Sequence, residues 1–262
     1  MRALNTAATG MLAQQLNVEV ISNNIANMNT TGYKRQRAEF QDLLYQSVER
    51  QGASSSDAGT IVPTGVQIGL GVKAGSVYRV TEQGNLTQTG NPYDLAIAGQ
   101  GYFTVQLPSG EDGYTRAGNF AVGPEGQLLT EDGYVVSPGI TMPLDAIDIT
   151  ISQQGQVQAS IPGQTAPQTV GQLELATFFN EAGLDPQGNN LFLESAASGP
   201  ANTGTPGSAG FGRISQGFIE ASNVNAVQEI TALIQAQRAY EMNSKVISAA
   251  DEMLSTSANL RR

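Results

Sequence analysis

Residues 4–28 read LNTAATGMLAQQLNVEVISNNIANM. Leu4, Met11, Val18 and Ile25 recur every seven residues, and Ala7, Ile21 and Met28 fill the position three residues later, with Gln14 as a polar exception. That spacing belongs to a helix that lays one stripe against a partner helix, as in a coiled coil. The run ends in Asn29-Thr30-Thr31-Gly32, where Gly32 supplies the usual C-terminal stop. At ~1.5 Å per residue the helix is roughly 40 Å long. No charged side chain stands between Arg2 and Glu19. A helix facing water normally carries Lys or Glu on its outer face. A polar but uncharged face suits packing against many neighbours, where amides hydrogen-bond and charges would be costly to desolvate.

The other end of the chain has the same character. Asn225 is placed to cap a helix, and Gln228 three residues on completes a capping-box pattern. Ala226, Leu233, Tyr240, Ile247 and Leu254 then repeat every seven residues, with Ala232, Ala239, Val246, Met253 and Leu260 alongside. Neither Pro nor Gly occurs from Phe218 onward, so this helix is expected to exceed roughly 50 Å. Burying one such stripe does not offset the entropy of ordering a whole helix, so partners are required. The first is the other terminal helix, and the uncharged faces call for more. The assembly seam is therefore read as Leu4, Met11, Val18 and Ile25 with Leu233, Tyr240, Ile247 and Leu254.

The middle is different. From Asp94 to Glu194 there are 12 acidic residues and one basic residue, Arg116, so this stretch carries −11 against −10 for the whole chain, and the rest is near neutral. Apolar residues alternate at Leu95 and Ile97, at Phe103, Val105 and Leu107, and at Ile147, Ile149 and Ile151. They alternate again at Val157, Ala159 and Ile161 and at Leu173 and Leu175, with Gly- and Pro-marked turns between the runs. Short period-2 runs at this spacing predict a mainly-β barrel or sandwich. The fold class is α+β: terminal helices forming a coiled-coil stem with an inserted mainly-β domain. Residues 1–40 and 218–262 make the helical core, 41–75 an extended connecting segment, and 76–217 the outer β domain. Within the connecting segment, 46–71 is Gly- and Ser-rich, yet Ile61, Val62, Val66, Ile68, Leu70 and Val72 alternate in part, like a strand awaiting a partner sheet.

The chemical inventory is short. There is no Cys and no His, which removes thiolate and imidazole catalysis together with Cys- and His-based zinc sites. A net charge of −10 disfavours phosphate-driven nucleic-acid binding. No run of eighteen apolar residues suggests a membrane span, and the N-terminal stretch lacks the apolar core of a secretion signal. Glu111-Asp112, Glu131-Asp132 and Asp145 with Asp148 are carboxylate pairs that a glycan hydrolase could use. Each lies at a Gly- or Pro-marked turn, where such residues are ordinary, and there is no Trp to stack on sugars. No catalytic, cofactor-binding or metal residues are assigned. Tyr33-Lys34-Arg35 with Arg37 reads as a solvated patch at the helix exit or an intersubunit ion pair.

Two stretches carry a resemblance. Ser22-Asn23-Asn24-Ile25-Ala26-Asn27-Met28-Asn29-Thr30-Thr31-Gly32-Tyr33-Lys34-Arg35 is similar to the N-terminal signature of bacterial flagellar rod and hook axial proteins. The run from Gly217 through Ser222, Asn223, Asn225, Gln237, Arg238, Tyr240, Asn243 and Ser244 resembles their C-terminal signature. The family-motif residues are thus Asn24, Asn27, Asn29, Thr31, Gly32 and Tyr33 at one end and those eight after Gly217 at the other. In the middle, residues 64–72, 83–89, 98–103 and 114–118 resemble the distal rod branch of that family more than its proximal rod or hook branches. The resemblance implies a non-enzymatic subunit without cofactor, exported through the flagellar type III apparatus without a cleaved signal. It implies a helical homopolymer in the basal body, spanning the periplasm and passing through the outer-membrane ring. Its neighbours would be proximal rod proteins, the hook protein and the outer ring bushing, and it would carry torque to the hook. If 46–71 pairs across subunits it locks neighbours against sliding. Deleting residues 51–62 is then expected to leave export and assembly intact but to give a rod that bends, as measured by electron microscopy. A deleted rod as straight as the parent would remove this role from the segment.

Overall fold

The computed structural model describes residues 2–48, 65–143, 145–163 and 166–259, so the 51–62 stretch lies outside the described residues. The chain divides into two compact units. One comprises Met1–Ile25, Gln36–Tyr78 and Asn225–Arg262, and the other Ala26–Arg35 and Arg79–Val224.

The first unit holds helix α1 (Arg2–Ala26), helix α2 (Ala226–Asn259) and a two-stranded ribbon. At 34 residues α2 is about 50 Å long. Asn225 caps it: its side-chain oxygen accepts the N–H groups of Val227 (3.1 Å) and Gln228 (3.3 Å). The helices run antiparallel, with Gly10 beside Asn243 and Asn24 bonded to Glu229. Those two contacts are fourteen residues apart on each helix (10 to 24, 229 to 243), so the pair stays in register over four turns. Ala7, Ala13, Val20, Ile21 and Asn24 are buried on α1, and Glu229, Ala236 and Ala250 on α2. The inner row of α2 therefore falls three residues after each heptad position. Val246 and Met253, expected beside the seam, are instead 48% and 66% exposed. The reason is close approach. A Cβ on Gly10 would stand 2.9 Å from the Asn243 amide nitrogen, and helices meeting on Ala and Gly leave their bulkier neighbours on the flanks.

The ribbon pairs Gln36–Asp42 with Val72–Arg79 and Tyr45–Ser47 with Gln67–Gly69, with Tyr45 opposite Gly69. Leu43 N–H to Gly71 O (2.9 Å) and Leu70 N–H to Leu44 O (3.2 Å) join the two stretches into one ladder. Gly71 has φ +124°, and the Thr9 hydroxyl of α1 occupies the space a Cβ would need there. The same hydroxyl accepts the Val72 N–H at 3.4 Å.

The second unit is built on sheets of nine and three strands, with two short strand pairs. Strand Tyr102–Gln106 pairs with Asp112–Thr115, Val135–Val136 and Leu175–Thr177, and four of its five residues are buried. Its alternation serves two cores. Phe103 and Val105 enter the larger one with Leu95, Ile97, Phe120, Leu175 and Ile214, and Tyr102 joins Tyr114 and Phe178 in a smaller one. Phe103 meets Phe120 edge-on, with centroids 5.1 Å apart. The three-stranded sheet of Asp148–Ile151, Gln156–Ser160 and Gln168–Gln172 sends Ile149, Ile151 and Val157 into the larger core. Ile147, read as part of that alternation, precedes the strand and is 74% exposed. Strands from late in the chain close the unit: Arg213–Gln216 pairs with Leu95–Ala98, and Phe218–Glu220 with Leu86–Gln88. Phe103→Ala is expected to destabilise the protein by about 3–5 kcal/mol. Phe179→Ala, at a fully exposed site, should change it by less than about 0.5 kcal/mol. Urea unfolding followed by circular dichroism measures both.

Candidate assembly surfaces

In the second unit the segment leaving α1 meets the segment leading into α2. Gly32, at φ +70°, donates its N–H to Glu220 O at 2.8 Å, and a Cβ there would lie 2.8 Å from Ala117 N. Only a residue without a side chain fits that approach. Asn223 ties three passes of chain together. Its oxygen accepts the Arg35 N–H (2.7 Å), and its amide donates to Val80 O (3.0 Å) and Glu82 O (2.9 Å). The Asn190 amide donates to Thr31 O at 3.2 Å, and Asn27 accepts from the Thr30 hydroxyl at 3.2 Å. The Ser222 hydroxyl accepts the Val224 N–H at 3.3 Å. Tyr33 is half-buried and Asn29 exposed.

At the centre of this junction is an ion cluster. Glu220 is 1% exposed, and its two oxygens take Lys34 Nζ and Arg116 Nε, each at 2.6 Å. Lys34, read from sequence as part of a solvated patch or an intersubunit pair, is instead buried and paired within its own chain. The patch reading looked only at neighbours in sequence, and the partner is 186 residues away. Burial presses the Glu220 carboxyl upward, but the Arg116 and Lys34 charges outweigh it and hold the group below its ordinary range. Burial draws Lys34 below the usual lysine value against the opposing pull of Glu220.

In the first unit Asn24 is 1% exposed. Its amide donates to Gln36 O (2.8 Å) and Glu229 (3.1 Å), and its oxygen accepts the Gln36 N–H (2.9 Å). It therefore fixes both the helix register and the turn of the chain into the ribbon. Leu4, Met11, Val18 and Ile25 are half-buried, as are Leu233 and Ile247, whereas Tyr240 and Leu254 are exposed. Tyr240 and Gln237 line an open groove of roughly 540 Å³ with Gln15, Val18, Glu19 and Glu241. Arg238 and Ser244 face outward. Val227, Ile230 and Ile234 are exposed on the side of α2 turned away from Glu229 and Ala236. On the ribbon Leu44, Tyr45, Ile68 and Leu70 are exposed. Sequence reading missed Arg116, Glu220 and Glu229. An acid in a strand looks like any exposed acid until its partners are placed. Arg116, the one basic residue between Asp94 and Glu194, was the available signal.

Three family descriptions match successive parts of the chain. "Flagella basal body rod protein" covers residues 4–34, "Flagellar hook protein FlgE/F/G D1 domain" 96–159, and "Flagellar basal body rod FlgEFG protein C-terminal" 215–260. The chain belongs to the flagellar basal-body rod protein family. Over 261 residues, the whole of both chains, it is 67% identical to the flagellar basal-body rod protein FlgG of Caulobacter vibrioides. It is 55% identical, again over both whole chains, to the protein of that name in Agrobacterium fabrum. The flagellar basal-body rod protein FlgF of Caulobacter vibrioides is 34% identical over 96% of this chain and 94% of its own. Asn223→Ala strands three backbone groups at the junction and is expected to lower stability by about 2–3 kcal/mol. Asn29→Ala should stay within about 0.5 kcal/mol of wild type, both measured by urea unfolding.

Proposed function

We propose that this chain is the structural subunit of the flagellar distal rod, polymerising into a rigid helical tube that transmits motor torque to the hook. The observation that carries the reading is the apolar surface left uncovered on the first unit. Val227, Ile230 and Ile234 fall three and four residues apart and so form one stripe on α2. The ribbon exposes Leu44, Tyr45, Ile68 and Leu70, and a two-stranded ribbon is marginal by itself in water. Further copies of the chain are the natural cover for both. Identity of 67% and 55% to FlgG rod proteins over the whole chain, against 34% to FlgF, supports the distal rather than the proximal position.

The acidic second unit suits an outer layer that does not stick to its surroundings. Proximal rod proteins, the hook protein and the outer ring bushing are the neighbours this position entails, and the flagellar type III apparatus is the export route. The tube would lie in the basal body, in the periplasm and through the outer-membrane ring. The role is mechanical and needs no catalysis. Among the described residues, no helix is long and apolar enough to cross a membrane.

Ile234→Asp places a charge on the exposed stripe without touching the inner row. The variant should stay soluble with wild-type circular dichroism, form no filaments by electron microscopy and sediment as monomer. Cells relying on it should be non-motile. Normal filaments from this variant would remove the stripe from the assembly interface.

A further inference from the structure

We infer that Glu220 is an acid-operated latch on the second unit, whose protonation frees both connecting segments, residues 26–35 and 218–224, while the β core stays closed. The inference stands on the second unit alone and does not depend on the rod reading. One carboxylate supplies the charged link between the two segments, beside the Gly32 N–H on the Glu220 carbonyl and the Arg35 N–H on the Asn223 oxygen. Glu220 lies on the outgoing segment, and Oε1 accepts from Lys34 of the incoming segment (2.6 Å) and from the Gly84 N–H (2.9 Å). Oε2 accepts from Arg116 at 2.6 Å. The side chains of Lys34, Arg116 and Glu220 are 3%, 6% and 1% exposed, so water does not screen the group.

The cations are anchored unequally. Arg116 also donates to the carbonyls of Gly101, Ile97 and Gly99, which belong to the core around Leu95–Ala98. Lys34 has one further bond, to Glu82 O at 2.9 Å. When Glu220 loses its charge, two buried cations face each other without the carboxylate between them. Arg116 remains with the core, and Lys34 is the group that leaves, taking the incoming segment with it. The other charged groups around the cluster do not reverse this. Arg79 lies near Tyr33 and Tyr102 and adds a third cation. Glu181 acts on Lys34 and accepts the Tyr102 hydroxyl at 3.3 Å, but it is half-buried, so it replaces little of the lost charge. Tyr33 and Tyr102 are neutral in acid.

The direction of the switch follows from linkage. The two cations hold the folded Glu220 carboxyl below its unfolded value, so its contribution is complete above the ordinary carboxylate range. That contribution is lost as pH falls through the folded value. Lys34 is charged in both states throughout that range and contributes no pH dependence there. The latch is closed at neutral pH and opens in acid.

Amide hydrogen exchange on the full-length chain from pH 7 to pH 3, corrected for intrinsic rates, tests this. In the wild type, protection at residues 30–35 and 218–222 is expected to fall at least tenfold at a pH where 95–98 and 102–106 keep theirs. Glu220→Gln should show reduced protection of both segments already at pH 7 and no acid step. Lys34→Met removes the tether of the incoming segment and one of the two cations. Residues 30–35 should then lose protection already at pH 7, while 218–222, still held through Arg116, keep an acid step moved to higher pH. This variant carries the test if the Gln variant does not fold. Segments and core losing protection together in the wild type, or an acid step unmoved in Lys34→Met, would overturn the latch.

Discussion

Glu220 sits between Lys34 and Arg116 with almost no access to water, and such a carboxylate is tolerated only when fully paired. Its partners come from distant parts of the chain. To satisfy it, the segment after α1, the end of strand Asp112–Thr115 and the strand before α2 must converge. The Gly32 N–H on the Glu220 carbonyl and the Asn223 side chain on Arg35, Val80 and Glu82 hold the same convergence. The late strands Arg213–Gln216 and Phe218–Glu220 close on Leu95–Ala98 and Leu86–Gln88 in the same neighbourhood. The second unit is therefore complete only when the segment after α1 and the segment before α2 have both joined it.

The first unit follows the opposite rule. Its helices meet largely on Ala, Gly and Asn, with Val20 and Ile21 of α1 also buried. Their contact is therefore narrow, and the larger apolar side chains of α2 such as Val227, Ile230 and Ile234 remain outside. A narrow contact offers little burial per turn, and a polar pin supplies what burial does not, namely a unique register. Asn24 serves as that pin through Glu229 and Gln36. A helix pair of this kind is specified by its own chain but needs outside cover to be stable, which is the physical condition expected of a subunit whose copies pack on one another.

Charge separates the two roles. The stretch with 12 acidic residues against one basic belongs to the second unit, and the charge-free run from Ala3 to Val18 belongs to α1. Apolar and amide surface can be dehydrated at modest cost against identical neighbours, whereas a dense acidic surface resists close packing with copies of itself. Composition alone thus separates the part suited to assembly from the part suited to facing other surroundings.

The first helix ends at Ala26, six residues before the stop expected at Gly32, but two long helices at the ends, a cap at Asn225 and strands at Leu95–Ala98 and Tyr102–Gln106 were legible in the sequence. Each depends on periodicity or on a local turn, which near neighbours determine. The terminal signatures likewise placed the chain in its family before any contact was known. Three features were not legible: the offset of the α2 inner row to Glu229, Ala236 and Ala250, the exposure of Ile147, and the burial of Lys34. Heptad spacing says that a stripe exists but not which of two adjacent rows lies nearer the partner; Gly10 against Asn243 decides that. A lysine beside an arginine looks solvated until a carboxylate 186 residues away is folded against it. Local periodicity is a property of neighbours in the chain, whereas pairing and burial are properties of neighbours in space, and only the tertiary structure supplies those.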